Sequence, residues 1–193
     1  MTTILFYGGV LYTDSLGTLL EQSDNGGITE TPLEKEIQKA YYLAPDVLAT
    51  GAGCRFLIEY YIPRITRYFR WVDRFLISEK IPNPRAMVCI LKIDRAYILK
   101  IRAHKLFKIP FTSRYFYVNT FESVTAWEDF SEGGAFLYTG SGESSIRERV
   151  EQFEKTALEG ERLDPVYLMW WASVHDSGTD FRIQKYPLPQ PGK

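Results

Sequence analysis

The sequence holds only two cysteines, Cys54 and Cys89, and two histidines, His104 and His175. Two thiols at no paired spacing do not make the disulfide framework of a small secreted domain, and a reducing, intracellular setting is the simpler reading. No Cys–His spacing suits a structural zinc site. An excess of charge is missing too: 23 Lys and Arg stand against 24 Asp and Glu, a net of −1. That removes the global electrostatic case for nucleic acid or an anionic membrane as partner. No apolar run approaches the length that spans a bilayer, and no basic-then-apolar leader opens the chain. A soluble, cytoplasmic protein is expected. The chain has no fixed-period repeat and no low-complexity tract. No glycine-rich loop carries the lysine that nucleotide phosphates require.

What is present is a 193-residue chain, 45% hydrophobic and 15% aromatic. That suffices for one domain with a sizeable core and is too little for two ordinary ones. The expectation is one domain over 1–186 and a loose tail, PLPQPGK, over 187–193.

Two short apolar runs, Ile4–Tyr7 and Val10–Tyr12, flank Gly8-Gly9. Gly-Gly between β-prone runs is a hairpin signal, because the mirror-image turns need positive φ. The polar stretch from Leu19 to Pro32 reads as a loop or a second hairpin around Asn25-Gly26-Gly27. Ile37–Leu43, a turn at Ala44-Pro45-Asp46, and Val47–Thr50 closed by Gly51-Ala52-Gly53 read as strand, turn, strand and glycine corner. Cys54–Lys80 carries the longest helical pattern, with apolar residues at three- and four-residue steps and a break or kink at Pro63. Strands are expected at Ala86–Ile93, Ala96–Ile101, Lys105–Ile109, Tyr115–Asn119 and Ala135–Thr139, with Phe121–Phe130 ambiguous. A helix should run from Ser144 or Ser145 to about Leu158. Asp164-Pro165, a capping residue followed by proline in the first turn, opens another. The last strand is Phe181–Tyr186. Periodicity alone reaches an α+β class.

Chemistry gathers at the amino end. A hairpin at Gly8-Gly9 brings Thr13 and Asp14 back beside Thr2. Met before a small residue such as Thr is a usual removal site, and removal leaves Thr2 with a free α-amine next to its own hydroxyl. One residue then holds both a nucleophile and its base.

Thr2-Thr3-Ile4, Asp14-Ser15, Lys39 in QKAYYL, Gly51-Ala52-Gly53 and Gly140-Ser141-Gly142 stand in the order of short motifs in the N-terminal-nucleophile hydrolases. Within that superfamily the chain resembles the proteasome β subunit and the HslV peptidase. The resemblance implies a four-layer αββα sandwich over 1–186 and a threonine-type peptidase with no metal or organic cofactor. It implies Thr2 as nucleophile, with Lys39 and Asp14 setting its pKa; Lys35 is a rival for the lysine. Thr50, Gly51, Ala52 and Gly53 would form the oxyanion corner and the start of the substrate pocket. Ser141 would touch the nucleophile's amine. Asp176 and Ser177, in His175-Asp176-Ser177-Gly178, would supply the last hydrogen bonds, although the family separates its Asp and Ser by two residues. The partners implied are a peptide or protein substrate and further copies of the chain in a ring. An ATPase partner is left open; nucleic acid and membrane are not expected.

Other readings stand beside these. Cys54 at a helix start is a thiol nucleophile in principle, with His175 or His104 as base. A small buried hydrophobe is the commoner role. Arg64, Arg67, Arg70 and Arg74, interleaved with Tyr68, Phe69 and Trp71, make a basic–aromatic face that suits nucleic acid, solvent or a subunit contact. A catalytically silent assembly or partner-binding protein that keeps the fold is the competing function class.

Overall fold

The computed structural model describes residues 2–15, 18–22, 28–32, 37–67, 74–81, 83–158 and 161–188. Among these the first hairpin forms as the glycines require: β1 (Thr3–Tyr7) and β2 (Val10–Asp14) pair antiparallel, with φ of 62° and 69° at Gly8 and Gly9. Positive φ at both turn residues is the mirror-image turn whose twist suits a two-residue hairpin. Thr13 pairs with Ile4, which sets Asp14 beside Thr3.

The rest of the chain supplies β3 (Thr18–Gln22), β4 (Ile28–Pro32), β5 (Ala40–Ala44), β6 (Val47–Gly53), α1 (Arg55–Arg67) and β7 (Phe75–Ser78). Then come β8 (Arg85–Lys92), β9 (Arg95–Lys108), β10 (Tyr115–Ala126) and β11 (Leu137–Gly140). The chain closes with α2 (Glu143–Thr156), α3 (Pro165–His175) and β12 (Ile183–Pro187). The result is a mixed α/β fold. A four-stranded sheet has the order β11-β1-β2-β12, a six-stranded sheet the order β5-β6-β8-β9-β10-β7, and β3 pairs with β4 alone.

Three apolar clusters bind these elements. Leu57, Tyr61 and Ile65, one per turn of α1, meet Val88, Ile90, Leu99 and Ile101 on the six-stranded sheet. Ile4 and Phe6 of β1, with Leu11 of β2, meet Leu48, Cys89, Leu91 and Ala96, so the two sheets share a core. Leu5 points to the other face of β1 and packs with Ile146 and Val150 of α2 and Leu168, Met169 and Ala172 of α3. Successive residues of a strand face opposite ways, so the apolar run Ile4-Leu5-Phe6 serves both faces of β1, each of which is covered.

Several expectations change. The helical pattern over Cys54–Lys80 ends, among the described residues, at Arg67, and Phe75–Ser78 is a strand. Its burial alternates, with Leu76 inward between exposed Phe75 and Ile77, and it pairs with β10 from Tyr115 to Val118. Pro63 lies inside α1 without dividing it. The candidates Ala96–Ile101 and Lys105–Ile109 are one strand, β9. Tyr115–Asn119 and the first half of the ambiguous stretch are likewise one strand, β10. Pro187 pairs with Val10, and Leu188 is buried with its N–H donating to Gly9 O at 2.7 Å; residues 189–193 of the expected tail lie outside the described residues. Asn25-Gly26-Gly27, Lys35 and the segment 68–73 lie outside the described residues.

Candidate active site

The site starts where β1 starts. Thr3 pairs with Gly140 at the end of β11, and one step earlier the carbonyl of Thr2 accepts the N–H of Ser141 at 3.1 Å. Gly140 has φ of +99°, and a Cβ there would lie 2.0 Å from Thr2 O. Only glycine lets the two backbones come this close. Gly142 serves the same fit: a Cβ on it would stand 2.7 Å from Thr3 Oγ1. The Gly-Ser-Gly motif is therefore the seat against which the amino end of β1 rests, and Thr2 sits there, largely buried.

On the opposite side of β1 lies a buried ion pair. Asp14 is fully buried; its Oδ1 accepts the backbone N–H of Thr3 at 2.7 Å and its Oδ2 accepts Lys39 Nζ, also at 2.7 Å. Lys39 precedes β5, and its carbonyl accepts the Thr50 hydroxyl of neighbouring β6 at 2.7 Å, which fixes where the lysine leaves the backbone. Burial lowers the Lys39 pKa from that of an ordinary lysine; the Asp14 carboxylate and, at longer range, Asp180 oppose the shift. Held by the Asp14 carboxylate, the ammonium sets a positive charge behind the first residues of β1.

A chain of hydroxyls runs along the other side of Thr3. Thr3 Oγ1 accepts the N–H of Gly142 at 2.9 Å and so caps the first turn of α2, which has no cap from its own side chains. It also bonds to Ser141 Oγ at 3.2 Å and to Thr179 Oγ1. Thr179 in turn donates to Asp176 Oδ2 at 2.6 Å. Counting protons orients the chain. The carboxylate of Asp176 accepts, so Thr179 spends its one proton there; Thr3 must then donate to Thr179, and Ser141 must donate to Thr3 or to Gly178 O at 3.4 Å. The Ser141 oxygen is left as an acceptor beside Thr2, which suits an ammonium or amine N–H.

Thr2 and Ser141 line a cleft of about 960 Å³ together with Ala52, Gly53, the start of β8 and the middle of β9 and β10. Gly53 ends β6 at φ of +98°, and a Cβ there would stand 2.6 Å from Arg85 O. Gly51, by contrast, faces Ile58 of α1 and the carbonyl of Met87 inside the fold. The ten residues singled out from the sequence thus fall into groups. Thr2, Ser141, Ala52 and Gly53 line the cleft; Asp14, Lys39 and Thr50 form the buried polar group behind β1; Asp176 reaches Thr3 through Thr179; Gly51 packs internally. Ser177 is exposed in the turn after α3. Sequence reasoning missed Thr3 and Thr179 as hydroxyl relays. Part of the signal is local: Asp176 and Thr179 stand three apart, whereas Ser177 adjoins the aspartate.

The thiol reading loses its premise. Cys54 is buried at the start of α1, and burial raises its pKa, outweighing the two N–H groups that pull the other way. Cys89, wholly inside the core between the sheets, is pushed up to about 12. His175 packs tilted against Trp171, with ring centroids 4.1 Å apart, and exposed His104 bonds to Thr120. Among the described residues no group of His, Cys, Asp and Glu is placed to hold a metal ion, and no described helix is long and apolar enough to cross a membrane.

No protein-family profile matches the chain, and no curated protein matches it. Solved structures do. The chain is similar to eukaryotic HslV from Trypanosoma brucei, with a TM-score of 0.49 and 13% identity over 95% of this chain and 97% of that one. It is also similar to Thiobacillus denitrificans BPH, solved in complex with epoxomicin, with a TM-score of 0.45 and 12% identity over 98% of this chain and 99% of that one. At these scores the likeness carries no argument about chemistry, which rests on the chain's own residues.

Proposed function

We propose that this protein is a threonine-type N-terminal-nucleophile hydrolase of the proteasome β and HslV kind, cleaving amide bonds in peptides. Its sheets and helices then form a single domain, a four-layer αββα sandwich. The observation that supports the reading best is the company that Thr2 keeps: a cleft on one side, an acceptor hydroxyl beside it, and a buried lysine–aspartate pair bonded to the next residue.

With Met1 removed, Thr2 Oγ attacks the scissile carbonyl and its proton passes to the Thr2 α-amine. The new C–O bond forms as the carbonyl π pair moves onto oxygen. A backbone N–H at the Ala52–Gly53 corner stabilises that oxyanion. Collapse expels the leaving nitrogen, which takes the proton from the ammonium and departs as the free amine. Water, deprotonated by the same α-amine, then hydrolyses the acyl ester and restores Thr2. The Lys39 charge favours the alkoxide-like oxygen, Asp14 holds that lysine, and Ser141 accepts an N–H of the ammonium. Thr179 and Asp176 hold Thr3 and Ser141 in their orientations.

Thr2→Ala tests this. Loss of an essential nucleophile lowers turnover of a fluorogenic peptide by roughly 10³-fold or more while the fold stands. Unchanged turnover sinks the assignment; Cys54→Ala, on the same reading, leaves turnover intact.

A further inference from the structure

The cleft beside Thr2 has a wall of distinct chemistry. Residues 85, 87, 89 and 91 of β8 share a face with 96, 98, 100 and 102 of β9, by strand alternation and register. Further along, that face is the core between the sheets, with Cys89, Leu91 and Ala96. At the cleft it is charged and exposed: Arg85 stands directly opposite Arg102, and Lys100 directly opposite Glu122. Five charged residues line the cleft: Arg85, Lys100, Arg102, Glu122 and Glu143. Both carboxylates are already engaged. Glu122 is 3.5 Å from Lys100 Nζ, and Glu143 is bridged by Arg147 and hydrogen-bonded to Thr139 at 3.3 Å. Among the described residues neither the Arg85 nor the Arg102 guanidinium has an ion-pair partner.

Like charges directly opposite on a sheet repel and destabilise the pairing unless an anion lies between them. Two guanidinium forks on neighbouring strands match the two oxygens of a carboxylate. We propose that this cleft selects peptides bearing an acidic side chain near the scissile bond, with Arg85 and Arg102 gripping its carboxylate; the proposal rests on the cleft being the substrate site of Thr2. The basic wall is local, because the chain as a whole carries a net charge of −1. Attraction to this wall is therefore a short-range contact that salt weakens, not a field of the entire molecule.

The test measures binding apart from cleavage. Full-length Thr2→Ala protein is titrated into fluorescein-labelled hexapeptides that differ only in carrying Glu, Gln or Lys at the two central positions, and anisotropy is read at low and physiological salt. The Glu peptide should bind about tenfold or more tighter than the Gln peptide, with the gap narrowing as salt rises. Arg85→Gln with Arg102→Gln should abolish that gap, and Arg85→Glu with Arg102→Glu should turn the preference towards the Lys peptide; both sites are exposed and the two arginines repel, so the thermal transition of the Gln double variant should not fall. Equal binding of Glu and Gln peptides, or a preference that survives the double variant, overturns the proposal. So does an oligonucleotide of equal charge that binds more tightly than the Glu peptide. If the Glu peptide binds as expected but the Thr2 protein never cleaves it, acidic selectivity stands and the threonine reading falls.

Discussion

Lys39→Met should be among the most destabilising single changes to a charged residue in this protein. Lys39 Nζ lies 2.7 Å from Asp14 Oδ2, and their side chains are only 6% and 0% exposed. Methionine keeps the length of the stem but removes the cation, so a carboxylate stays out of water without its nearest counter-charge. Breaking a buried pair from one side costs about 3–5 kcal/mol. In a chain of this size each kcal/mol moves the melting temperature by about 2–4 °C, which gives a fall of about 6–20 °C. The comparison is Arg162→Met: Arg162 sits 3.2 Å from Glu132, but the two are 65% and 77% exposed. Water screens that pair, and its loss should cost under about 1 kcal/mol. Urea denaturation of both variants reads the difference. Asp14→Asn added to Lys39→Met closes the cycle, since asparagine still accepts the Thr3 N–H while removing the stranded charge. The double variant should be more stable than the sum of the two single losses predicts. A Lys39→Met loss no larger than that of Arg162→Met, or strict additivity with Asp14→Asn, would refute the pair as a buried, coupled unit.

Three further outcomes follow from named contacts. Burial lowers the Lys39 pKa, so the cation is present below that lowered value and lost as pH rises through it; the alkaline limb of kcat/KM should therefore fall below the 10.5 of an ordinary lysine, and a limb at or above 10.5 would contradict this. Gly140→Ala forces a Cβ to 2.0 Å from Thr2 O at φ of +99°, so chemical denaturation should show a loss of about 2 kcal/mol or more, and a neutral substitution would show that the seat under Thr2 gives way. Assembly is the third: Trp170 and Val174 of α3 are about half exposed, a surface that suits a contact between copies of the chain. Light scattering should give an oligomer that Trp170→Glu reduces, whereas a monomer in both proteins would sink the ring expectation.

The sequence was most legible where backbone geometry admits few residue types. Gly8-Gly9 between two apolar runs leaves little but a tight hairpin, and Asp164 before Pro165 opens α3 with the Asp164 carboxylate accepting the Val166 N–H at 2.8 Å. Gly140-Ser141-Gly142 marked the place where β1 meets α2. It failed where one pattern fits two structures. Phe75–Ser78 is a short apolar run that continues a helical count as well as it fills an edge strand, and pairing with β10 decided the matter. The length of β9 was hidden because its burial alternates only to Ala103, after which the strand runs on exposed to Lys108. The Thr3–Thr179 contact joins residues 176 apart through side chains alone, so no local window holds it. Arg85 and Arg102 likewise meet only through strand register.

The central claim is that Thr2 acts through its own free α-amine. The direct measurement is the intact mass of the protein, fractionated so that species with and without Met1 are separated, with peptide hydrolysis assayed on each. Hydrolysis should follow the species that begins at Thr2 and be absent from the species that keeps Met1. Equal turnover by the Met1-bearing species would contradict the mechanism, because its α-amine lies one residue away from the hydroxyl that must attack.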